Sequence, residues 1–151
     1  MISKKAEYAI NILTELAKQQ EPQEEFYSSK KIAEVGDIPP NLIHQLVSTL
    51  QKEGLLNSAR GPKGGISLAQ NPEQISLKTV VEIFDGKIGI TRCLLDENYC
   101  HKTSNCPLHR IWYTMQGKMI SELEKTNIKE LAEAYGKLDN NTGNKVMEAK
   151  K

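Results

Sequence analysis

No run of apolar residues in this sequence approaches the roughly 20 residues that a membrane-spanning helix needs. Residues 1–5 also lack the apolar segment of a secretory signal, so a cytoplasmic protein without membrane contact is expected. The net charge is only +1, and residues 1–70 contain eight basic and eight acidic side chains. Any binding to phosphate must therefore come from the local placement of charge and not from a bulk field.

Cysteine is scarce, and the three cysteines are an odd number that leaves at least one thiol unpaired. A disulfide framework is therefore not expected. The sequence also lacks a Cys-x-x-Cys pair and a histidine–acid arrangement that would activate a nucleophile. These absences argue against a cysteine-dependent enzyme that acts on a small-molecule substrate.

The cysteines that are present lie close together. All three, with two of the three histidines, fall within residues 93–109. Thiolates combined with imidazole suit zinc, copper(I) or an iron-sulfur cluster, whereas magnesium and calcium prefer oxygen ligands. The sequence therefore predicts a soft-metal site in a loop-like segment that ends at Pro107, where a helical pattern begins.

The N-terminal part has the periodicity of three helices. Residues 4–18 form the first, the second begins at Ser28 or Ser29 and ends at Gly36 in the left-handed conformation, and residues 40–53 form the third. The predicted buried face of the first helix consists of Ala6, Ala9, Ile10, Leu13, Leu16 and Ala17.

The third helix has one apolar and one polar side. Its predicted buried residues are Ile43, Leu46, Val47 and Leu50, and its predicted exposed residues are Asn41, His44, Gln45, Ser48 and Lys52. Short polar side chains on a helix that follows a tight turn are what a recognition helix needs to read bases in a major groove. An ordinary solvated helix face is the alternative.

A glycine-rich hairpin follows the three helices. Residues 55–60 and 66–69 read as short strands, and residues 61–65 between them as a turn with Arg60 and Lys63 beside its tip. Three helices followed by such a hairpin predict a winged helix-turn-helix, although a plain hairpin with a basic tip has the same pattern.

The C-terminal part is also predicted to be helical. Ser76 caps a fourth helix that ends at Gly86, and a long helix begins at Pro107. The long helix has a narrow apolar stripe of Leu108, Ile111, Trp112, Met115, Met119 and Leu123. Such a stripe needs another helix, so a homodimer is expected.

The expected fold class is mainly α, a winged helix-turn-helix with a long C-terminal dimerisation helix. Residues 1–70 are assigned to the DNA-binding domain, and residues 71–135 to the metal loop and the dimerisation helices. A short last helix is predicted over residues 127–135, and residues 136–151 are predicted to be a disordered tail.

Four motifs together resemble a known family. They are the helical start Glu7-Tyr8-Ala9, the wing Arg60-Gly-Pro-Lys-Gly-Gly65, the helix opening Ile75-Ser76-Leu77 and the ending Cys106-Pro-Leu-His109. Over about residues 1–135 the sequence resembles the IscR/NsrR-type family of winged-helix iron-sulfur transcription regulators.

The resemblance implies a dimeric regulator that binds double-stranded DNA and an iron-sulfur cluster, with 2Fe-2S favoured and 4Fe-4S as the alternative. The implied cluster ligands are Cys93, Cys100, Cys106 and His109. Glu7 and His101 are rivals of His109 for the fourth position. The residues assigned to DNA are Ser28, Lys30, Asn41, His44, Gln45, Ser48, Arg60, Pro62, Lys63 and Gly64.

Two departures from the family pattern stand out. Six residues separate Cys93 from Cys100 where IscR-like proteins typically have five, and His44 replaces a glutamate. Four ligands from the same segment would also suit a structural zinc. A winged-helix regulator with zinc and a cysteine-based redox regulator without a cluster are therefore alternatives.

Overall fold

The computed structural model describes residues 1–19 and 25–142. Over these residues the chain forms seven α-helices and one two-stranded antiparallel sheet, which confirms the mainly helical fold class. The elements are α1 Lys4–Lys18, α2 Ser29–Val35, α3 Pro40–Lys52, β1 Leu56–Ala59, β2 Gly65–Leu68, α4 Leu77–Asp85, α5 Arg92–Leu95, α6 Pro107–Lys125 and α7 Ile128–Thr142. None of the helices in this described part is both long and apolar enough to cross a bilayer.

Helix α1 lies at the centre of the fold. The Ser3 hydroxyl begins it by accepting a hydrogen bond from the Ala6 backbone N–H at 3.2 Å. Contacts with α2 and α3, and also with α4 and α7, cover more of this helix than one stripe. Ile12, outside the predicted face, is therefore fully buried, whereas the predicted Ile10 and Ala17 are only half-buried.

Helices α2 and α3 are joined by a tight turn whose backbone differs from the prediction. Gly36 has a φ of −80°, and Asp37 takes the left-handed conformation instead, with a φ of 52°. A Cβ atom on Gly36 would lie 3.1 Å from the Ile32 carbonyl oxygen and from Ile38 Cδ1, so this glycine permits close packing. Ser28 stands at the N-cap of α2, but within the described residues its side chain makes no capping hydrogen bond.

The wing is attached to the segment before α2. Strands β1 and β2 pair with Leu56 opposite Leu68. Tyr27 adds a bridge to β2, because Tyr27 and Ile66 exchange backbone hydrogen bonds of 2.9 and 2.8 Å. A Cβ atom on Gly65 would lie 2.3 Å from the Tyr27 carbonyl oxygen, so the bridge requires glycine there.

Helix α4 begins and ends where the sequence predicts. The Ser76 hydroxyl accepts a hydrogen bond from the Thr79 backbone N–H at 3.1 Å, and Gly86 ends the helix with a φ of 73°. Val80 and Val81 are buried on the side of α4 that faces the rest of the fold.

The start of α4 is paired with the turn between α6 and α7. The Leu77 backbone N–H donates to the Thr126 carbonyl oxygen at 3.0 Å, and the Ile128 N–H donates to the Ile75 carbonyl oxygen at 2.9 Å. Both isoleucine side chains are fully buried. We refer to these four residues as the clamp, since they join the C-terminal end of α6 to the winged helix.

Helix α7 is longer than predicted. It runs to Thr142, so residues 136–142 are helical where a disordered tail is predicted, and residues 143–151 lie outside the described residues. The helix packs along α1, and Ala132 is buried between them. Because tertiary packing provides most of the stability of a helix, the contact with α1 explains the extension.

An ion-pair network joins the ends of α1 and α7. Lys18 Nζ lies 2.8 Å from a carboxylate oxygen of both Glu15 and Asp139, and 6.0 Å from the centre of the Tyr135 ring. The Lys18 side chain is only 9% exposed. Burial lowers the pKa of this ammonium, but the hydrogen bonds with Asp139 and Glu15 outweigh burial and raise the pKa above its ordinary 10.5.

Replacing Lys18 with methionine should lower the free energy of unfolding by about 2 kcal/mol, because two partly buried carboxylates lose their cation. A pKa raised by folding contributes stability that is complete below the unfolded value and is lost as the pH rises through the folded value. The difference in the free energy of unfolding between Lys18→Met and wild type should therefore be complete at neutral pH and decrease above pH 10.5. Urea unfolding at several pH values measures it, with the exposed Lys5→Met as control. Equal stability of Lys18→Met and wild type would contradict this prediction.

Candidate functional site

Helix α3 has the two sides that the sequence predicts. Its four predicted apolar residues are buried against α1 and β1. The opposite side carries the exposed residues Asn41, His44, Gln45, Ser48 and Lys52. Because this side carries no acidic residue, it can approach a polyanion while its amide, imidazole and hydroxyl groups exchange hydrogen bonds with base edges.

A hydrogen bond that the sequence analysis did not identify connects α3 with the wing. Gln51 Nε2 donates to Ser58 Oγ at 2.7 Å. Gln51 lies near the end of α3 and Ser58 in β1, so the bond fixes the wing relative to the polar side of α3. Only the tertiary structure reveals this pair, since polar residues at these two positions have no distinctive spacing.

The wing places its predicted DNA-binding residues in different environments. Arg60, Pro62 and Lys63 are exposed at the tip. Gly64 is half-buried, and its N–H donates to the Gly61 carbonyl oxygen at 2.9 Å. A Cβ atom on Gly64 would lie 2.2 Å from the carbonyl oxygen of Ala59 in β1. Gly64 therefore shapes the turn, while the side chains at the tip are free to reach a groove.

The start of α2 supplies the remaining predicted contacts. Lys30 is exposed in the first turn of α2, and Ser28 is half-buried at its N-cap. In a helix-turn-helix the first of the two helices crosses the DNA backbone. The Lys30 ammonium is thus suited to a phosphate contact beside the groove that α3 would occupy.

The cysteine segment contains more regular structure than a loop. Cys93 lies in the one-turn helix α5, a 3₁₀ turn spans Thr103–Asn105, and Cys106 is the N-cap of α6. All three cysteines are free thiols and half-buried. Cys93 and Cys106 therefore belong to a helix or its cap, whereas Cys100 lies in the segment between them.

The four predicted ligands are not gathered at one point. Within residues 1–19 and 25–142, no three His, Cys, Asp or Glu side chains lie close enough together to hold a metal ion. The chemistry of the donors nevertheless fits a soft metal, since three free thiols are accompanied by an imidazole. His109 Nδ1 is buried and has no hydrogen-bond partner in this part of the chain, which is unusual for a buried polar atom.

The rivals of His109 have different surroundings. Glu7 is exposed in the first turn of α1 and forms an ion pair with Lys4 Nζ at 2.5 Å. His101 is exposed beside Cys100. Both side chains are therefore accessible to solvent, whereas Nδ1 of His109 is buried and finds no partner in the described part of the chain.

A shallow cavity of about 480 Å³ opens beside the start of α6. Its lining includes Cys106 and His109 together with Arg110 and Tyr113. Both candidate ligands at this end of the segment thus border open space.

Helix α6 has an uncovered apolar face. It has no fully buried residue, which is unusual for a helix of 19 residues. Leu108, Ile111 and Met115 are 52%, 51% and 49% exposed, and they recur at helical spacing. Part of the predicted stripe, including Met119 and Leu123, is half-buried where α6 contacts α4.

A winged helix with a projecting helix and a cysteine segment between them can be compared with known proteins. The family profile described as "Rrf2: Iron-dependent Transcriptional regulator" matches residues 2–134. The chain belongs to the Rrf2 family. The resemblance to IscR-like regulators is thereby confirmed at the level of the family.

Individual Rrf2 relatives cover most of the chain. The HTH-type transcriptional regulator CymR of Bacillus subtilis (strain 168) is 30% identical over 131 residues, 87% of this chain and 88% of that protein. The HTH-type transcriptional regulator IscR of Aliivibrio salmonicida (strain LFI1238) is 29% identical over 130 residues, 86% and 76% of the two chains. The solved structure of CymR (YrzC), the global cysteine regulator of B. subtilis, has a TM-score of 0.72 at 28% identity and covers 89% of this chain and 97% of its own.

Membership of the Rrf2 family makes the chain a DNA-binding transcription regulator and not an enzyme, as predicted. The uncovered face of α6 bears on the oligomeric state. The homodimer that the sequence predicts would place this exposed apolar face against the same face of a second copy.

Replacing Ile111 with glutamate should weaken dimerisation of this Rrf2 protein at least about tenfold, because a charge replaces apolar area at the centre of the face. Sedimentation equilibrium measures the dissociation constant. Gly117→Glu is the control, because it adds the same charge at an exposed position on the opposite side of α6, where, within the described residues, a Cβ atom would meet no other atom within 4 Å. Equal dissociation constants for the two variants would show that this face does not mediate dimerisation.

Proposed function

We propose that this chain is a homodimeric transcription regulator whose binding to double-stranded DNA is controlled by an iron-sulfur cluster in the segment 93–109. The single observation that carries the proposal is the combination of three free thiols with His109 Nδ1, a buried nitrogen without a hydrogen-bond partner among the described residues. Residues 1–70 would bind DNA, and residues 71–135 would hold the cluster and the dimer interface. Because the target is DNA, we infer that the protein works in the cytoplasm.

The proposed DNA contacts divide into two kinds. Base edges in the major groove would be read from α3, and phosphates would be contacted from α2 while the wing enters the adjacent minor groove. The α3 residues are Asn41, His44, Gln45 and Ser48, the α2 residues are Ser28 and Lys30, and the wing residues are Arg60, Pro62, Lys63 and Gly64. In a dimer, two such surfaces would meet half-sites about one helical turn apart.

Replacing Arg60 with alanine should weaken DNA binding about tenfold, because the wing loses one of the two cations at its tip. The salt dependence should also become shallower by about one unit if Arg60 contacts a phosphate. Fluorescence anisotropy with a labelled operator fragment, at several salt concentrations, measures both quantities.

The matched control for Arg60→Ala is Lys87→Ala, which removes an equal charge from an exposed position after α4. This control should bind the operator like wild type. An affinity of Arg60→Ala that equals the affinity of the control would remove the wing from the proposed interface.

The segment 93–109 is suited to the control of DNA binding because it lies between helices α4 and α6. It connects α4 to α6, and the clamp holds the opposite end of α6 against the winged helix. A helix of 19 residues is about 28 Å long. A small movement of Cys106 at the free end would therefore change the angle of α6 and, in a dimer, the separation of the two α3 helices.

The proposed ligands are the thiolates of Cys93, Cys100 and Cys106, with His109 as the fourth. When bound, a cluster would supply a redox-active centre that is easily lost, since an imidazole ligand is readily protonated. Because the four donors do not converge in the described structure, binding would require the segment to tighten. We favour a 2Fe-2S cluster, with a 4Fe-4S cluster completed by Glu7 as the variant.

One observation supports a second candidate function. A solved relative, CymR of Staphylococcus aureus, is 30% identical to this chain and is described in an oxidized form. A cysteine-based redox regulator without a cluster, or a regulator with a structural zinc, would use the same thiols.

Protein purified without oxygen should contain iron and sulfide in equal amounts and absorb in the visible range. Replacing His109 with alanine should change that spectrum, because a nitrogen ligand is lost. Glu7→Gln and His101→Ala are the matched tests of the rival ligands and should leave the spectrum unchanged. A spectrum altered only by Glu7→Gln would move the fourth position to Glu7, and colourless protein with zinc would overturn the cluster.

A further inference from the structure

The threonine before helix α5 makes an unusual hydrogen bond. Thr91 is the N-cap of α5, and among the described residues its side chain makes no capping bond to the helix. Its Oγ1 lies instead 3.1 Å from Cys93 Sγ. A threonine at this position ordinarily bonds the backbone of the helix, whereas the Thr91 hydroxyl bonds the sulfur.

The backbone around Thr91 is held on both sides. The Ile90 N–H donates to Gln116 Oε1 of α6 at 3.0 Å, and the Leu94 N–H donates to the Thr91 carbonyl oxygen at 3.1 Å. A Cβ atom on Gly89 would lie 2.4 Å from Leu95 Cγ, so the chain before Thr91 lies directly against α5. The hydroxyl therefore belongs to a scaffold that is anchored on α6.

We propose that Thr91 is a positioning residue for the sulfur of Cys93, which its hydroxyl orients and hydrogen-bonds when that sulfur is a cluster ligand. This inference rests on the proposed function, in which Cys93 is a ligand. In the free thiol either group can donate. A ligating thiolate has no proton, so in the bound state only the Thr91 hydroxyl can be the donor.

A donor at a ligating sulfur has a measurable consequence. Hydrogen bonds to the sulfurs are among the factors that set the reduction potential of an iron-sulfur cluster. Such a bond strengthens as negative charge increases, so it favours the reduced state and raises the potential. Loss of the Thr91 hydroxyl should therefore make the potential more negative.

The experiment compares full-length wild type with three variants, all purified without oxygen. Thr91→Val keeps the shape but removes the hydroxyl, and Thr91→Ser keeps the hydroxyl. Thr103→Val is the matched control, because the Thr103 hydroxyl donates to the carbonyl oxygen of Cys100 and not to a sulfur. Iron and sulfide are assayed first, and each protein is then titrated with dithionite, which supplies the electron, while visible absorption gives the midpoint potential.

Thr91→Val is expected to shift the one-electron equilibrium about tenfold toward the oxidised state, which is about 59 mV. Thr91→Ser and Thr103→Val should remain close to wild type. Loss of the cluster from Thr91→Val with retention in Thr91→Ser would also support the inference, since the hydroxyl alone separates those two outcomes.

Several results would overturn it. The role of the hydroxyl would be removed if Thr91→Val had the midpoint potential of wild type, or if Thr91→Ser or Thr103→Val shifted the potential equally. Loss of the cluster from both Thr91 variants would also remove that role. Each of these results would leave the proposed function intact. Wild type without iron and sulfide would overturn the proposed function, and this inference with it.

Discussion

The backbone pairing of Ile75 and Leu77 with Ile128 and Thr126 is the constraint on which the rest of the arrangement depends. Because these four residues pair segments that are distant along the chain, α7 packs against α1. It covers a side of α1 that the other helices and strands of the winged helix do not contact. The same pairing holds one end of α6 while its apolar face remains uncovered. The winged helix and α6 therefore share one buried connection, at which both isoleucines are excluded from water.

The position of the basic side chains in this Rrf2 protein matters more for DNA binding than its net charge does. The net charge is +1, yet the exposed side of α3 carries no carboxylate and the wing tip carries Arg60 and Lys63. Acidic side chains are instead used in ion pairs elsewhere, such as Asp139 and Glu15 with Lys18. Local charge of one sign at the proposed interface is enough for phosphate contacts, because screening at physiological salt limits each charge to about 8 Å.

Among the cysteines of the described structure, Cys93 is the one whose sulfur makes a hydrogen bond. Cys93 is held in α5 beside Thr91, and this small scaffold is attached to α6 through Gln116. The four proposed ligands do not converge in the described structure, so the conformation of the segment would have to change when they bind a cluster. Coupling of ligand binding to local folding is a general property of small metal sites, and it suits a switch better than a preformed cage does.

Periodicity and cap chemistry in the sequence determined most of the helices, the two strands and the polar side of α3, because these features depend on neighbours within a few residues. The clustering of Cys93, Cys100 and Cys106 likewise pointed to a soft-metal site, which stays a prediction. Only the tertiary structure decided that Ile12 is buried, that α7 continues to Thr142 and that the Thr91 hydroxyl bonds a sulfur. The first two outcomes depend on contacts between residues that are distant along the chain, and their spacing has no recognisable pattern. The third depends on which of two hydrogen-bond partners the hydroxyl takes, and the local sequence favours neither.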